Sequence, residues 1–497
     1  MKRILCMGLF LALLPAWLGA ADCTTVGAAG SATRDGVTIL AKNRDYPADT
    51  GQILFFETDR QFAPSEQVGL QTLRVGQAAA TWQLLGFKAL DDRAREKKLW
   101  RWGLGMGMNR FGVCVANDDA TTWDKVTGDA LHDNDITRLI LERCRTAREA
   151  VDLVDALLAE HGAVIAEIYT VADAREVWII ETTGRHWAAV RVADGVFARA
   201  NRFEITVPDL PDDSGTFRQG RRELVEFARA AGRYAEEDGQ FSFRRSYDPD
   251  YLGAMNVHYN ETRYRRALAL LEPLRGKADM ENVAAVLRDH YEEWLFAAPD
   301  GRELRLDARG SGPHAALGGP LIAEKPTRTI CYGSTVGSMV CVVDPKRPAE
   351  LGGTMWASLH VPCLSAFVPY FPAAPLRLEP GLTRASDRYE PDSLWWQQAV
   401  VERNLEPRWA ESAGVIRKIR DYWRAFEERE RRELDKVLAK AGALQRQGKT
   451  AEAQKTLAGF STKCQRDLAR GIRKVQGWIP GLDREAPAPP PFVQQKY

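Results

Sequence analysis

Short alternating runs of apolar and polar residues dominate residues 23–200. They predict β-strands at 23–28, 37–42, 52–57, 104–108, 113–117, 166–171, 177–181, 186–192 and 196–200. Asp35-Gly36 stands between two of these runs, and this dipeptide is a strong β-hairpin signal. Residues 135–144 and 147–161 instead carry apolar side chains at helical spacing. Because the strand and helix patterns stay in separate blocks, they predict an α+β fold built in layers.

The second half of the chain has a mainly helical pattern. Helices are predicted at 220–234, 263–274, 280–296, 394–403, 413–443 and 450–475, and strands return at 329–343 and 354–367. The long charged segment 416–444 could be a coil that binds a partner. We interpret it as a helix packed on the core, whose Glu and Arg residues form a solvated outer face.

These patterns predict the following organisation along the chain. A globular domain spans 23–380 and contains a largely helical insertion at 207–325, a helical C-terminal extension spans 381–476, and a Pro-rich tail spans 477–497.

The first 20 residues have the parts of a secretory signal peptide. Lys2 and Arg3 precede an apolar stretch at 4–14, and the segment ends in small residues up to Ala20. Pro15 interrupts the stretch, which is shorter than the roughly 20 residues of a membrane span. We therefore expect removal of residues 1–20, a periplasmic or secreted protein and no stable membrane anchor. The alternative is a signal anchor that is retained.

Cys23 follows this segment after a short propeptide, residues 21–22. Self-cleavage of the Asp22–Cys23 bond would give a chain whose first residue carries both a thiol and a free α-amine. Such an amine has a pKa of about 7.7 to 8.0, which suits a general base without help from histidine. Two alternatives are lipid acylation of Cys23 and its pairing in a disulfide.

Composition narrows the functional classes further. The net charge of +1, with 27% charged residues, argues against nucleic acid or acidic membranes as partners. Seven of the eight cysteines follow the signal segment, so an odd thiol is expected in an exported chain. Cys331 and Cys341 could be bridged if they lie on neighbouring strands. No C-x-x-C pair or zinc-type histidine spacing occurs, and we expect no metal.

Several short motifs lie between residues 23 and 372, and their order along the chain is informative. They are Cys23-Thr24-Thr25, Asp35-Gly36 with 41–45, 107–117, 178–192, 200–203, 337–340 and 361–369. Together they resemble the dipeptidase and secernin family of N-terminal nucleophile hydrolases, and more distantly the bile-salt hydrolase and penicillin acyltransferase families. The resemblance implies a four-layer αββα sandwich around two antiparallel sheets, and a cysteine amidohydrolase that needs no cofactor.

The same resemblance implies roles for five residues. Cys23 matches the nucleophile, and Asp45 matches a carboxylate that orients its ammonium group. Lys42 takes a place where relatives carry arginine or lysine, and a cation there would favour the thiolate. Asn117 and Asn201 match side-chain amides that stabilise the oxyanion, a contribution of about 10² to 10³ in rate.

The sequence thus predicts an exported cysteine dipeptidase that cleaves short peptides through a thioester on Cys23. One alternative keeps the mechanism but takes N-acyl amides, as bile-salt hydrolases do. Another is a non-catalytic, secernin-like binding protein on the same fold. A homo-oligomer is compatible with each of these.

Overall fold

The computed structural model describes most of the chain. The described residues are 23–46, 50–90, 103–207, 221–253, 256–291, 304–306, 314, 320–322, 325–326, 328–386 and 388–485. The predicted signal peptide, the propeptide at 21–22 and the last part of the Pro-rich tail, 486–497, lie outside them.

The first of two large sheets has six strands and carries Cys23 at the start of a central strand. In spatial order its strands are β14 (Gly195–Arg199), β1 (Thr24–Ala29), β2 (Thr38–Asp45), β20 (Thr335–Val343), β21 (Thr354–Leu359) and β22 (Val368–Tyr370). All neighbours are antiparallel, and every residue of β1 and β2 is buried. A strand buried on both faces needs a layer on each side of its sheet.

The second large sheet has seven antiparallel strands. In spatial order they are β13 (Trp187–Val192), β12 (Val177–Thr182), β11 (Ala166–Ala172), β10 (Cys114–Ala120), β9 (Met106–Asn109), β8 (Leu84–Ala89) and β3 (Gln52–Glu57). β10 faces β1 and β2 of the first sheet. The two sheets therefore share one core, to which Val26, Leu40 and Val115 belong.

Helices cover the outer face of each sheet. α1 (Asp133–Arg143) and α2 (Ala147–His161) pack on the seven-stranded sheet. In the described part of the chain, the other α-helices before the C-terminal extension are α3 (Arg221–Ala230), α4 (Phe243–Tyr247), α5 (Thr262–Leu271) and α6 (Met280–Leu287). Since α5 and α6 pack on the six-stranded sheet, the predicted four-layer αββα sandwich is confirmed.

The segment predicted as a helical insertion is more varied than expected. The helix predicted at 280–296 is wrong at 288–291, because α6 ends at Leu287 and Tyr291 has φ of 66°, which a helix cannot hold. Its last part, 292–296, lies outside the described residues. Beyond it lie the short strands β17 (Leu304–Leu306), β18 (Pro320–Ile322) and β19 (Lys325–Pro326). The helices α5 and α6 serve as the fourth layer of the sandwich.

The C-terminal extension consists of α7 (Leu394–Leu405), α8 (Ala413–Arg446) and α9 (Thr450–Gln476). α7 packs on β21 and α9 on β22 and α8. One face of α8 is buried, and Trp423 on it donates a hydrogen bond to the Leu364 carbonyl. The charged helix is thus packed on the core, as expected. Among the described helices, none has both the length and the apolar character needed to cross a membrane.

The remaining strands form small two-stranded ribbons. They are β4 (Arg60–Gln61) with β7 (Ala80–Thr81), β5 (Gln67–Gly69) with β6 (Arg74–Gly76), and β15 (Glu236–Glu237) with β16 (Gln240–Phe241).

The seven cysteines of the described chain are all free and buried. The disulfide considered between Cys331 and Cys341 is absent from these residues. Cys341 lies on β20, 3.8 Å from the Met339 sulfur, whereas Cys331 lies beside Cys363.

Candidate active site

Cys23 lies directly before β1, between the strands that carry the other predicted site residues. Its side chain is 3% exposed, and Sγ lies 3.9 Å from the backbone oxygen of Asp45 at the end of β2. In the hairpin of β1 and β2, Thr25 pairs with Lys42. The start of β1, next to Cys23, therefore lies beside the end of β2. Local hairpin geometry therefore places Lys42 and Asp45 near the thiol.

Lys42 is fully buried, and each hydrogen of its ammonium group has an acceptor. Nζ donates to the Gly105 oxygen at 3.2 Å, to the Asn117 side-chain oxygen at 2.6 Å, and to the Asn117 backbone oxygen. An ammonium group has three hydrogens, and these three acceptors match them. Lys42 thereby links β2 of one sheet to β10 of the other, and leaves its charge beside Cys23.

Asp45 is held from two sides. Its carboxylate forms a buried ion pair with Arg328 and accepts a hydrogen bond of 2.5 Å from the Thr335 hydroxyl. The register of β2 against β20 shifts between Arg44 and Asp45, and after this irregularity Asp45 pairs with Thr335. Burial raises the pKa of Asp45 above its ordinary value, and Arg328 opposes that shift.

Arg263 on α5 is a site residue that the sequence prediction missed. Its guanidinium donates to the Cys23 backbone oxygen and to Thr24 Oγ1 at 2.9 Å. The remaining bonds reach Asn201 Oδ1 at 2.8 Å, Asn260 Oδ1 at 2.7 Å and the Tyr259 oxygen at 3.1 Å. A guanidinium has five N–H donors, so each of them has an acceptor here. Arg263 therefore fixes the backbone of Cys23.

Cations set the orientation of both predicted amide side chains. Asn201 turns Oδ1 toward Arg263, and Asn117 turns Oδ1 toward Lys42, because neither cation can accept a hydrogen bond. Each Nδ2 therefore points away from its cation. On Asn117 this nitrogen lies 3.4 Å from Asp133 Oδ2. Positioned N–H groups of this kind are what an oxyanion site requires.

An acidic group lies beside Asn117. Asp119, Asp133 and Glu167 place their carboxylate oxygens within 4.8 Å of one another. β10 and β11 pair Asp119 with Glu167, and Asp133 begins α1. Burial raises the pKa of Glu167 well above its ordinary value, and the charges of Asp119 and Asp133 add to the shift. This corner of the site therefore favours a positively charged neighbour.

The surroundings of Cys23 disfavour the thiolate form of its side chain. Burial raises its pKa to about 12, while Lys42 lowers it and Asp118 and Asp45 raise it. A thiol with this pKa is a poor nucleophile at neutral pH. Reaction therefore calls for a base close to the sulfur.

Asp118 allows a pH-dependent test of this electrostatic balance. Burial raises its pKa from 3.8 to about 6, and Lys42 opposes the shift. Between these values the folded chain holds more protons at Asp118 than the unfolded chain, so this contribution to stability is lost as pH rises from 4 to 6. We expect Asp118→Asn to reduce the fall in stability over that window by about 2 kcal/mol, measured by denaturant unfolding.

The matched control for this test is Asp435→Asn on the exposed face of α8. It should follow the wild-type pH dependence. Identical pH profiles for Asp118→Asn and the wild type would contradict the assigned pKa.

Comparison with known proteins identifies related sequences. The sequence model of Peptidase family C69 matches residues 105–423. A probable dipeptidase B from Streptococcus pyogenes serotype M1 is 24% identical over 364 residues, covering 67% of this chain and 70% of the relative. A probable dipeptidase from Salmonella dublin is 25% identical over 368 residues, covering 70% and 80%.

Among solved structures, a mutant conjugated bile acid hydrolase from Clostridium perfringens matches with a TM-score of 0.33 and 10% identity. The match covers 68% of this chain and 89% of that protein. The family match of 105–423 runs from the sandwich into the C-terminal helices, and thus spans well over half of the chain. The chain therefore belongs to Peptidase family C69.

Proposed function

We propose that this peptidase is an exported N-terminal nucleophile enzyme that cleaves dipeptides through Cys23. The arrangement of polar groups around Cys23 carries the proposal. Lys42 and Asp45 lie close enough to change the pKa of the Cys23 thiol, and Arg263 joins Cys23 to Asn201 through two hydrogen-bonded arms. Nucleophile, charged groups and oriented amides are the parts that acyl transfer requires.

In the proposed mechanism, the Cys23 thiol first attacks the carbonyl carbon of Asp22, and the α-nitrogen of Cys23 takes a proton as the Asp22–Cys23 amide bond breaks. Water then hydrolyses the resulting thioester, which releases the propeptide as an acid and restores the thiol. The new α-amine of Cys23 then takes the thiol proton, and sulfur attacks the substrate amide carbon. Asn117 and Asn201 stabilise the oxyanion with their Nδ2 hydrogens. The protonated amine gives its proton to the leaving amine, and water hydrolyses the thioester to release the acid and the free thiol.

Two observations favour dipeptides over N-acyl amides as substrates. The curated relatives are described as probable dipeptidases. The acidic group of Asp119, Asp133 and Glu167 also lies beside Asn117, where it would attract the free ammonium group of a peptide.

The mature N-terminus provides the direct test. Intact mass analysis of protein recovered from the periplasm or medium should show a chain that begins at Cys23. Cys23→Ala should keep Asp22, because no thiol remains to attack its carbonyl. Full activity in a chain that retains Asp22 would contradict the amine's role as base.

The substrate is tested on the same mature protein. Release of free amino acids from dipeptides supports the proposal, and release of a carboxylic acid from N-acyl amides alone would favour the amide hydrolase. A non-catalytic binding protein would hydrolyse neither, and Cys23 would show no acylation by an activated ester.

A further inference from the structure

Four side chains with metal-binding chemistry meet in a buried cluster outside the candidate active site. They are His290, His314, Cys331 and Cys363, none more than 6% exposed. One donor atom of each lies within 4.8 Å of all the others. The cluster is the meeting point of the segment after α6, the segment before β20 and the turn at Pro362–Leu364.

Hydrogen bonding alone does not explain this arrangement. His314 Nε2 lies 3.1 Å from His290 Nε2, 3.6 Å from Cys331 Sγ and 3.2 Å from Cys363 Sγ. A ring nitrogen carries one hydrogen or one lone pair and can serve only one partner well. The convergence of three polar atoms on one nitrogen is instead the arrangement expected when all four atoms bind the same metal ion.

The separations agree with tetrahedral coordination. Zinc bonds of about 2.3 Å to sulfur and about 2.05 Å to nitrogen give edges of about 3.6 Å between sulfur and nitrogen and about 3.3 Å between nitrogens. The observed separations of 3.2 to 3.6 Å for sulfur to nitrogen, and 3.1 Å between nitrogens, need only small adjustments to meet them.

Two carboxylates near His314 Nδ1 favour the histidine tautomer that metal binding requires. His314 Nδ1 lies 3.0 Å from Glu406 Oε2 and 3.5 Å from Glu402 Oε1. A proton on Nδ1 is therefore stabilised, which leaves the lone pair of Nε2 directed into the cluster. Glu406 also accepts a hydrogen bond of 2.9 Å from the His314 backbone N–H. Metal-binding histidines in proteins are commonly supported by a carboxylate in this way.

We infer that His290, His314, Cys331 and Cys363 form a structural site for one zinc ion. On binding, both thiols release their protons to solvent and four metal–ligand bonds form, with no oxidation or reduction. The two thiolates balance the charge of the ion, so a neutral group is buried. With four protein ligands the site is closed, as structural zinc sites are.

The site would support the active site at a distance. Cys331 follows Arg328 by three residues, and Arg328 forms the ion pair with Asp45. His290 lies next to Asp289, which pairs with Arg266 on α5. A metal ion would therefore hold the two segments that brace Asp45 and the helix of Arg263.

The prediction of no metal from local spacing did not cover a site assembled from such distant segments. His290 and His314 are 24 residues apart, Cys331 follows 17 residues later, and Cys363 lies 49 residues after His314. Recurrent zinc motifs place at least two ligands within about five residues.

Metal content is the direct test. Wild-type protein exposed to zinc and then dialysed should contain one zinc ion per chain by elemental analysis. Replacement with Co²⁺ should give the strong visible bands of tetrahedral Co²⁺ and a thiolate charge-transfer band. C331A/C363A should lose the ion, and Glu406→Gln should weaken its affinity about 10-fold to 100-fold.

The matched control is C114A/C341A, which removes another pair of neighbouring buried cysteines and should keep the metal. If C331A/C363A fails to fold, the wild-type Co²⁺ spectrum decides the question. A wild-type protein without zinc and without thiolate-to-Co²⁺ absorption would overturn the inference. So would a disulfide between Cys331 and Cys363 found by mass spectrometry. None of these readouts depends on peptidase activity.

Discussion

Replacing Cys23 by alanine is expected to lower kcat/KM for dipeptides by about 10⁴-fold or more, because the proposed reaction passes through a thioester on its sulfur. Catalysis can be measured apart from maturation by expressing a chain that begins with Met followed by Cys23, from which aminopeptidase removes the methionine. Steady-state hydrolysis of dipeptides by this chain and its alanine counterpart gives the ratio.

Cys464→Ser is the matched control for this substitution. Cys464 is also a buried free thiol, and its hydrogen bond of 3.1 Å to Glu430 can be kept by a serine hydroxyl. We expect this variant to retain the wild-type rate. If the activity of Cys23→Ala stayed within about 10-fold of wild type, the assignment of the nucleophile would be refuted, because uncatalysed routes cannot supply such a rate.

Replacing Arg263 by lysine is expected to destabilise the fold by about 3 kcal/mol and to lower kcat by about 10²-fold. Lysine keeps the positive charge but has only three donors, so at least two of the five buried acceptors lose their partner. The loss in rate follows because Asn201 and the backbone of Cys23 are no longer held. Denaturant unfolding and steady-state kinetics measure the two effects.

Arg265→Lys, two residues along the same helix, is the control. Its side chain is 51% exposed and pairs with Glu261 on the surface, so we expect almost no change in stability or rate. Equal effects of the two substitutions would show that the buried network does not position the site. A loss of stability in Arg263→Lys with unchanged kcat would restrict Arg263 to a structural role.

Most elements of the sandwich could be predicted because their side-chain patterns are local. The strand at 52–57 and the helix at 147–161 have the predicted bounds, since the strand is a short apolar run and the helix repeats its apolar residues at helical spacing. β8 was missed. Its residues are buried with little alternation, and Gly86 fits there because a side chain would meet the Met106 oxygen at 2.7 Å.

The candidate site also has a part that local patterns predict and a part that they do not. Lys42 and Asp45 lie on the strand that forms a hairpin with the strand after Cys23, so hairpin geometry alone brings them close. Arg263 lies 240 residues from Cys23 in a charged helical segment. Its pattern is that of an ordinary solvated helix face, and only the packing of α5 on the six-stranded sheet buries it.

By itself, the sequence determined the layered α+β class, the hairpin that carries Lys42 and Asp45, and Cys23 as the candidate nucleophile. Periodicity and turn chemistry act over a few residues, and that range is sufficient for these features. Only the tertiary structure decided that Arg263 saturates its donors around Cys23, and that two histidines and two cysteines meet beside α7. Such contacts depend on the packing of distant segments, which no local pattern specifies.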